Sequence, residues 1–186
     1  MFVILTTQRS GSHLLSSLLN SHPDLTCYGE IVNNEIKPIE EMEEGEGVIY
    51  HYNQFFNLSK ARKEIVRSSK ILHLIRNDMD KLVRSRLVSG KYKDKLGAKS
   101  HYRRKETIHY PEFTDEEVER AKRCILKERK NALLELWDTE MFTLSYEMLT
   151  GDKSIKKLTN KPILRFLGVA PMTLETTLTK PNYKLT

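Results

Sequence analysis

Four groups of residues in this chain carry side chains able to do chemistry. Arg9-Ser10-Gly11-Ser12-His13 sets a permanent cation, two hydroxyls and an imidazole around one glycine. Glycine lets a backbone approach a ligand closely, arginine presents a planar fork of donors that stays protonated, and serine adds hydroxyl donors. Together they suit an anion, above all a phosphate. Arg76 and Ser85 form a second pair able to hold an anion. Glu30 and His51 are the groups able to take a proton, since carboxylates and imidazoles are common general bases. Each also has a plainer reading: Glu30 as a solvated carboxylate, His51 as a hydrogen-bonded rim residue, Arg76 as half of a surface pair with an aspartate.

These groups need elements to position them. Residues 2–5 are an apolar run that reads as a buried strand. Leu14, Leu15, Leu18 and Leu19 follow at helical spacing, predicting a helix from about residue 12 to 21 that stops before Pro23. A strand, a tight polar loop and a helix N-terminus bind phosphate, because free amides and the helix dipole both face the anion. The same stretch also fits an ordinary strand–turn–helix with a serine cap. It is not a Walker loop, which needs two glycines five apart and then Lys-Ser/Thr; here one glycine stands and the cation precedes it.

Further on, residues 25–28 predict a second strand, closed by Gly29-Glu30, and residues 33–47 an acidic connector. Residues 48–52 predict a third strand with His51 near its end, and 58–68 a basic helix with Ala61, Ile65 and Val66 inward. Residues 71–75 read as a central parallel strand, which places Arg76 at its carboxyl end, where open α/β sheets bind ligands. A helix is predicted from Met79 to about Ser89, with Gly90 as its stop, and Thr114-Asp115-Glu116-Glu117 opens another to about Trp137 as a capping box. Residues 141–146 predict a strand and 155–167 a short helix. Alternating strands and helices predict an α/β fold: a mostly parallel sheet of about four or five strands with helices on both faces.

The chain has 186 residues, 39% hydrophobic and 30% charged, with a net charge of +6. That fits one domain over residues 1–186 and makes an anionic ligand plausible. Two cysteines, Cys27 and Cys124, are too few for a disulfide scaffold and lack metal-ligand spacing. No apolar run spans a bilayer and no signal peptide is visible, so a cytoplasmic location is expected. Residues 91–113 are rich in Lys and Arg with interleaved tyrosines, which suits a solvated loop or a nucleic-acid-binding stretch.

In this order, the groups resemble the sulfotransferases that use 3′-phosphoadenosine 5′-phosphosulfate (PAPS). Arg9-Ser10-Gly11-Ser12 is similar to their 5′-phosphosulfate loop, and Arg76-Asn77 with Ser85 to their 3′-phosphate element. Leu144-Ser145-Tyr146-Glu147-Met148-Leu149 resembles their "YEDL" strand end, and the residues from Ile163 to Val169 their "I..FLG" helix end. The likeness is closest to the carbohydrate and bacterial branches. It implies a P-loop NTPase-like three-layer α/β/α domain that moves a sulfuryl group from PAPS to a hydroxyl of a small-molecule or glycan acceptor, leaving 3′-phosphoadenosine 5′-phosphate (PAP), with no metal.

Carried over residue by residue, Arg9, Ser10, Gly11, Ser12 and His13 hold the 5′ end, Arg9 also stabilising developing charge. Arg76 and Ser85 hold the 3′-phosphate, and Tyr146 lies near the adenine. Glu30 is favoured as the base over His51. Residues 91–113 become a lid that favours an anionic or sugar acceptor. Two departures stand out: the Arg76-to-Ser85 spacing is one residue longer than the common pattern, and Met148 replaces the motif aspartate. A P-loop-like nucleotide kinase and a basic nucleic-acid-binding module are the other classes; the kinase would want a lysine after the glycine and a carboxylate for Mg²⁺.

Overall fold

β1 (Phe2–Thr6) is buried at every position and is the middle strand of a five-stranded sheet. Its run of apolar and β-branched residues suits a strand covered on both faces. The computed structural model describes residues 1–30, 37–96, 112–150, 158–159 and 161–176. β2 (Thr26–Glu30), β3 (Glu46–His51), β4 (Lys70–Ile75) and β5 (Met141–Ser145) complete the sheet in the order β2-β3-β1-β4-β5, every pair parallel. The register sets Thr6 beside His51 on one side and Leu74 on the other. All carboxyl ends therefore lie along one edge.

Successive side chains of β1 point to opposite layers. Phe2 and Ile4 pack with Leu15, Leu18 and Leu19 of α1 (Ser12–Leu19) and with Ile163, Leu164 and Leu167 of α7 (Lys161–Leu167). Val3 and Leu5 face Tyr52 and Phe55 of α2 (Tyr52–Phe56), Val66 of α3 (Lys60–Arg67) and Ala132 of α5 (Asp115–Glu135). α4 (Met79–Leu96) packs on α5 through Leu82, Val83, Val118 and Ile125, and α6 (Tyr146–Thr150) follows β5 directly. The result is the expected three-layer α/β/α arrangement around a parallel sheet. A two-residue pair, β6 (Leu158–Thr159) and β7 (Thr173–Leu174), stands apart from the main sheet. Neighbouring strands β1 and β3 send their exits to opposite faces, toward α1 and α2, and so open a crevice at their carboxyl ends.

Several expected boundaries shift. Tyr52 and Tyr146 begin helices instead of ending strands. The Gln54 side chain accepts the His51 N–H at 2.8 Å, and the Ser145 hydroxyl accepts the Met148 N–H at 3.2 Å; both bonds turn the chain early. β2 continues through Gly29 to Glu30. Gly90 does not stop α4, which runs on to Leu96. One glycine costs a helix only about 1 kcal/mol, so it does not override the packing of α4 on α5. Ala61 is exposed, while Val66 is the buried residue of α3. Most of the predicted lid, residues 97–111, lies outside the described residues, as do residues 155–157 at the start of the last predicted helix and residues 31–36; of that helix, 158–159 form a short strand and Lys161–Leu167 the helix. Among the described residues no helix is long and apolar enough to cross a membrane.

Buried His73 on β4 contacts the Tyr52 hydroxyl at 2.8 Å and the Thr143 hydroxyl at 3.2 Å. Burial, helped by the charge of Arg129, pushes its pKa down to about 4. Burial also lowers that of His51. With the folded pKa below the unfolded value, the unfolded chain takes the proton first. Stability must therefore fall as pH drops from 6.5 to about 4. His73 alone should remove roughly 3 kcal/mol across that window. Urea unfolding at steps of pH measures this, and a midpoint that stays constant would contradict it.

Candidate functional site

The loop after β1 turns through two left-handed residues, Arg9 with φ 69° and Gly11 with φ 98°. Gly11 is needed for a second reason. A Cβ there would sit 2.4 Å from the Tyr146 ring. Between them Ser10 is fully buried, and its hydroxyl meets that of Thr6, which donates to the Leu74 carbonyl at 2.6 Å. The Ser10 side chain thus points into the sheet and anchors the loop, leaving its backbone as the part able to meet a ligand. Gly11 caps α1 without any side-chain hydrogen bond, and the first helical bond is Leu15 N–H to the Gly11 carbonyl. The amides ahead of it face the end of the helix, where an anion is favoured. Ser12 is nearly buried at the first position of α1.

The second predicted pair closes on the first. Arg9 Nε donates to Ser85 Oγ at 3.1 Å, and Arg76 Nη1 donates to the Arg9 carbonyl at 3.3 Å. Arg76 Cζ lies 4.9 Å from the centre of the Tyr146 ring, and its buried Nε has no hydrogen-bond partner among the described residues. Residues from β1, β4, α4 and α6 thereby meet at one edge of the sheet. The ring that the resemblance assigns to an adenine lies beside Gly11 and Arg76.

Sequence reasoning missed two residues of this region. Arg86 Nη1 reaches Thr7 Oγ1 and Glu128 Oε2, each at 3.4 Å, tying the loop to α5. Only its place beside Ser85 hinted at this. Glu147 lay inside a quoted motif but was given no role. Its carboxylate accepts the Asn77 N–H at 3.0 Å and the Asp78 N–H at 3.2 Å. Burial alone would raise its pKa; these backbone donors and the Ser145 hydroxyl outweigh burial and lower it.

Across the crevice, the two candidate bases form one cluster. Glu30 Oε1 is 3.4 Å from His51 Nε2 and 3.4 Å from His13 Nε2. Glu30 ends β2, His51 ends β3, and His13 stands in the first turn of α1. His13, expected at the phosphate, therefore reaches the carboxylate. Burial by itself would raise the Glu30 carboxyl; the His13 hydrogen bond and the charges of His51, His13 and Arg9 overcome this and hold it below its ordinary value. His51 is shifted down chiefly by burial, against the pull of Glu30. Among the described residues no group of three or more His, Cys, Asp or Glu side chains is placed to hold a metal ion. The site thus pairs a cationic, amide-rich cradle with an ionised carboxylate. It can hold a phosphate-bearing ligand and accept a proton beside it.

No family model matches the chain, and no curated protein matches it. Among solved structures, mouse sulfotransferase SULT7A1 complexed with PAP is similar, with 15% identity, a TM-score of 0.49, and coverage of 91% of this chain and 58% of that one. The chain spans little more than half the length of that sulfotransferase.

Thr6→Val tests the anchor of the loop. It removes the hydroxyl between Ser10 and Leu74 and strands the buried Ser10 hydroxyl, so it should cost about 1–3 kcal/mol in urea unfolding. A loss under roughly 0.5 kcal/mol, the range of an ordinary surface change, would show that Ser10 is held otherwise.

Proposed function

We propose that this protein moves a sulfuryl group from PAPS to a hydroxyl of a small-molecule or glycan acceptor. The observation that carries this reading is the Arg9–Ser85 hydrogen bond at 3.1 Å, which joins two anion-holding elements 76 residues apart into one site. A ligand with two separate phosphate-bearing positions matches that pairing. The buried, unpartnered Nε of Arg76 fits such a ligand.

PAPS, when bound, supplies the transferable sulfuryl group. Arg9 and the amides of residues 10–13 would hold its 5′ end, and Ser10 would act through its amide alone. Donors fixed there favour negative charge on the leaving phosphate more strongly than water does, since they need no reorganisation. Arg76 and Ser85 would hold the 3′-phosphate, giving binding energy away from the reacting centre. Glu30 would take the acceptor proton at Oε1, with His51 and His13 orienting the carboxylate.

Thermal-shift titration with PAP, 5′-AMP and ATP with Mg²⁺ tests the ligand class. PAP at about a hundred times its Kd should add ~2.7 kcal/mol, a shift of a few degrees, and Arg76→Ala should remove most of it. Stabilisation by ATP with Mg²⁺ alone would point to a kinase-like enzyme, and no shift with any of them would overturn the proposal.

Glu30→Gln should lower kcat about 10²–10⁴-fold while PAP still binds. Because its neighbours hold the Glu30 carboxyl below its ordinary value in the free protein, the acid limb of kcat/KM, which reports the free enzyme, should lie below the ordinary carboxylate range. A limb in the histidine range would move the role to His51.

A further inference from the structure

The chain leaves β5 at Ser145 and immediately sends two successive side chains to one target. Tyr146 stacks by Arg76 at 4.9 Å, and Glu147 holds the amides of Asn77 and Asp78 at 3.0 and 3.2 Å. The segment 76–78 is thus held at its side chain and at its backbone by neighbours in sequence. The opposite side of this contact matters as much. The Tyr146 ring also lies so close to Gly11 that no Cβ would fit. One ring therefore touches both anion-holding elements, the loop at Gly11 and the arginine at position 76.

We propose that Tyr146 and Glu147 are a positioning pair that sets selectivity for a nucleotide with a second phosphate on its ribose. This rests on the sulfotransferase reading above. Tyr146 is the spacer that fixes how far the Arg76 guanidinium stands from the β1–α1 loop. Glu147 fills the amides at the start of α4, which would otherwise attract an anion themselves. An incoming second phosphate then meets Arg76 and Ser85 and not the amides of residues 77 and 78, at one distance from the first. Arginine is rotamer-rich, and ordering it only on binding would weaken affinity; stacking on the ring and the bond to the Arg9 carbonyl order it beforehand.

Calorimetric titration of PAP and of 5′-AMP into five proteins decides the matter: wild type, Arg76→Ala, Tyr146→Phe, Tyr146→Leu and Glu147→Ala. Phe keeps the ring, so its ratio of PAP to 5′-AMP affinity should match wild type. Leu should lower that ratio ~10-fold, weakening PAP more than 5′-AMP, and the Glu147 variant should lower it ~10-fold by weakening PAP with 5′-AMP affinity unchanged. Equal losses for both nucleotides would mark a merely structural role and overturn the proposal. An unchanged ratio in Tyr146→Leu and Glu147→Ala, with Arg76→Ala still collapsing it, would overturn the pair while leaving the sulfotransferase reading intact. A wild type that does not prefer PAP over 5′-AMP would overturn both.

Discussion

Thr6 donates to the Leu74 carbonyl and meets the Ser10 hydroxyl, and this buried contact decides the path of the loop that everything else at the site touches. Leaving either hydroxyl unpaired in the sheet would cost about 1–3 kcal/mol. A non-glycine residue in a left-handed conformation costs a comparable amount, about 1–2 kcal/mol. The loop takes that cost at Arg9, whose φ is 69°, and keeps its buried hydrogen bonds. The gain is directional. With Ser10 turned inward, Arg9 is turned toward α4, where its Nε meets Ser85 and its carbonyl meets Arg76. A small set of hydroxyls in the core thereby dictates where two guanidinium groups stand outside it.

The legible parts of this molecule were those governed by local pattern. β1 and β4 read as buried strands because nearly every residue in them is apolar, and the capping box at Thr114 and Glu117 formed where the sequence placed it. That Ser85 lies on the helix that begins just after Arg76 followed from helical periodicity. What stayed hidden depended on partners distant in the chain. Gly90 looked like a stop because nothing local showed α4 resting on α5. Tyr52 and Tyr146 looked like strand residues, since both are good β-formers, yet a single side-chain bond to a backbone amide turned each into a helix start. Glu147 was invisible as a clamp because its partners lie on the far side of the β4–α4 turn. Glu30 and His51 were weighed as alternatives, whereas parallel pairing of β2 with β3 makes them neighbours.

Arg9 also couples the two halves of the site. Its charge is among those that hold the Glu30 carboxyl down, while its side chain bonds to Ser85 on the other side. In the ligand-free protein this leaves Glu30 ionised but a weak base, because a carboxylate stabilised by neighbouring cations holds a proton poorly. An anion seated against Arg9 would offset part of that positive charge. The sign of the effect is fixed: a negative charge nearby disfavours a carboxylate and raises its pKa. Burial pushes in the same direction and is already the largest single influence on Glu30. Of these competing influences, the one that loosens on ligand binding is the cationic one. Glu30 would become the stronger base when the cradle beside it is filled, which ties proton acceptance to occupancy of the anion site without any movement of the backbone.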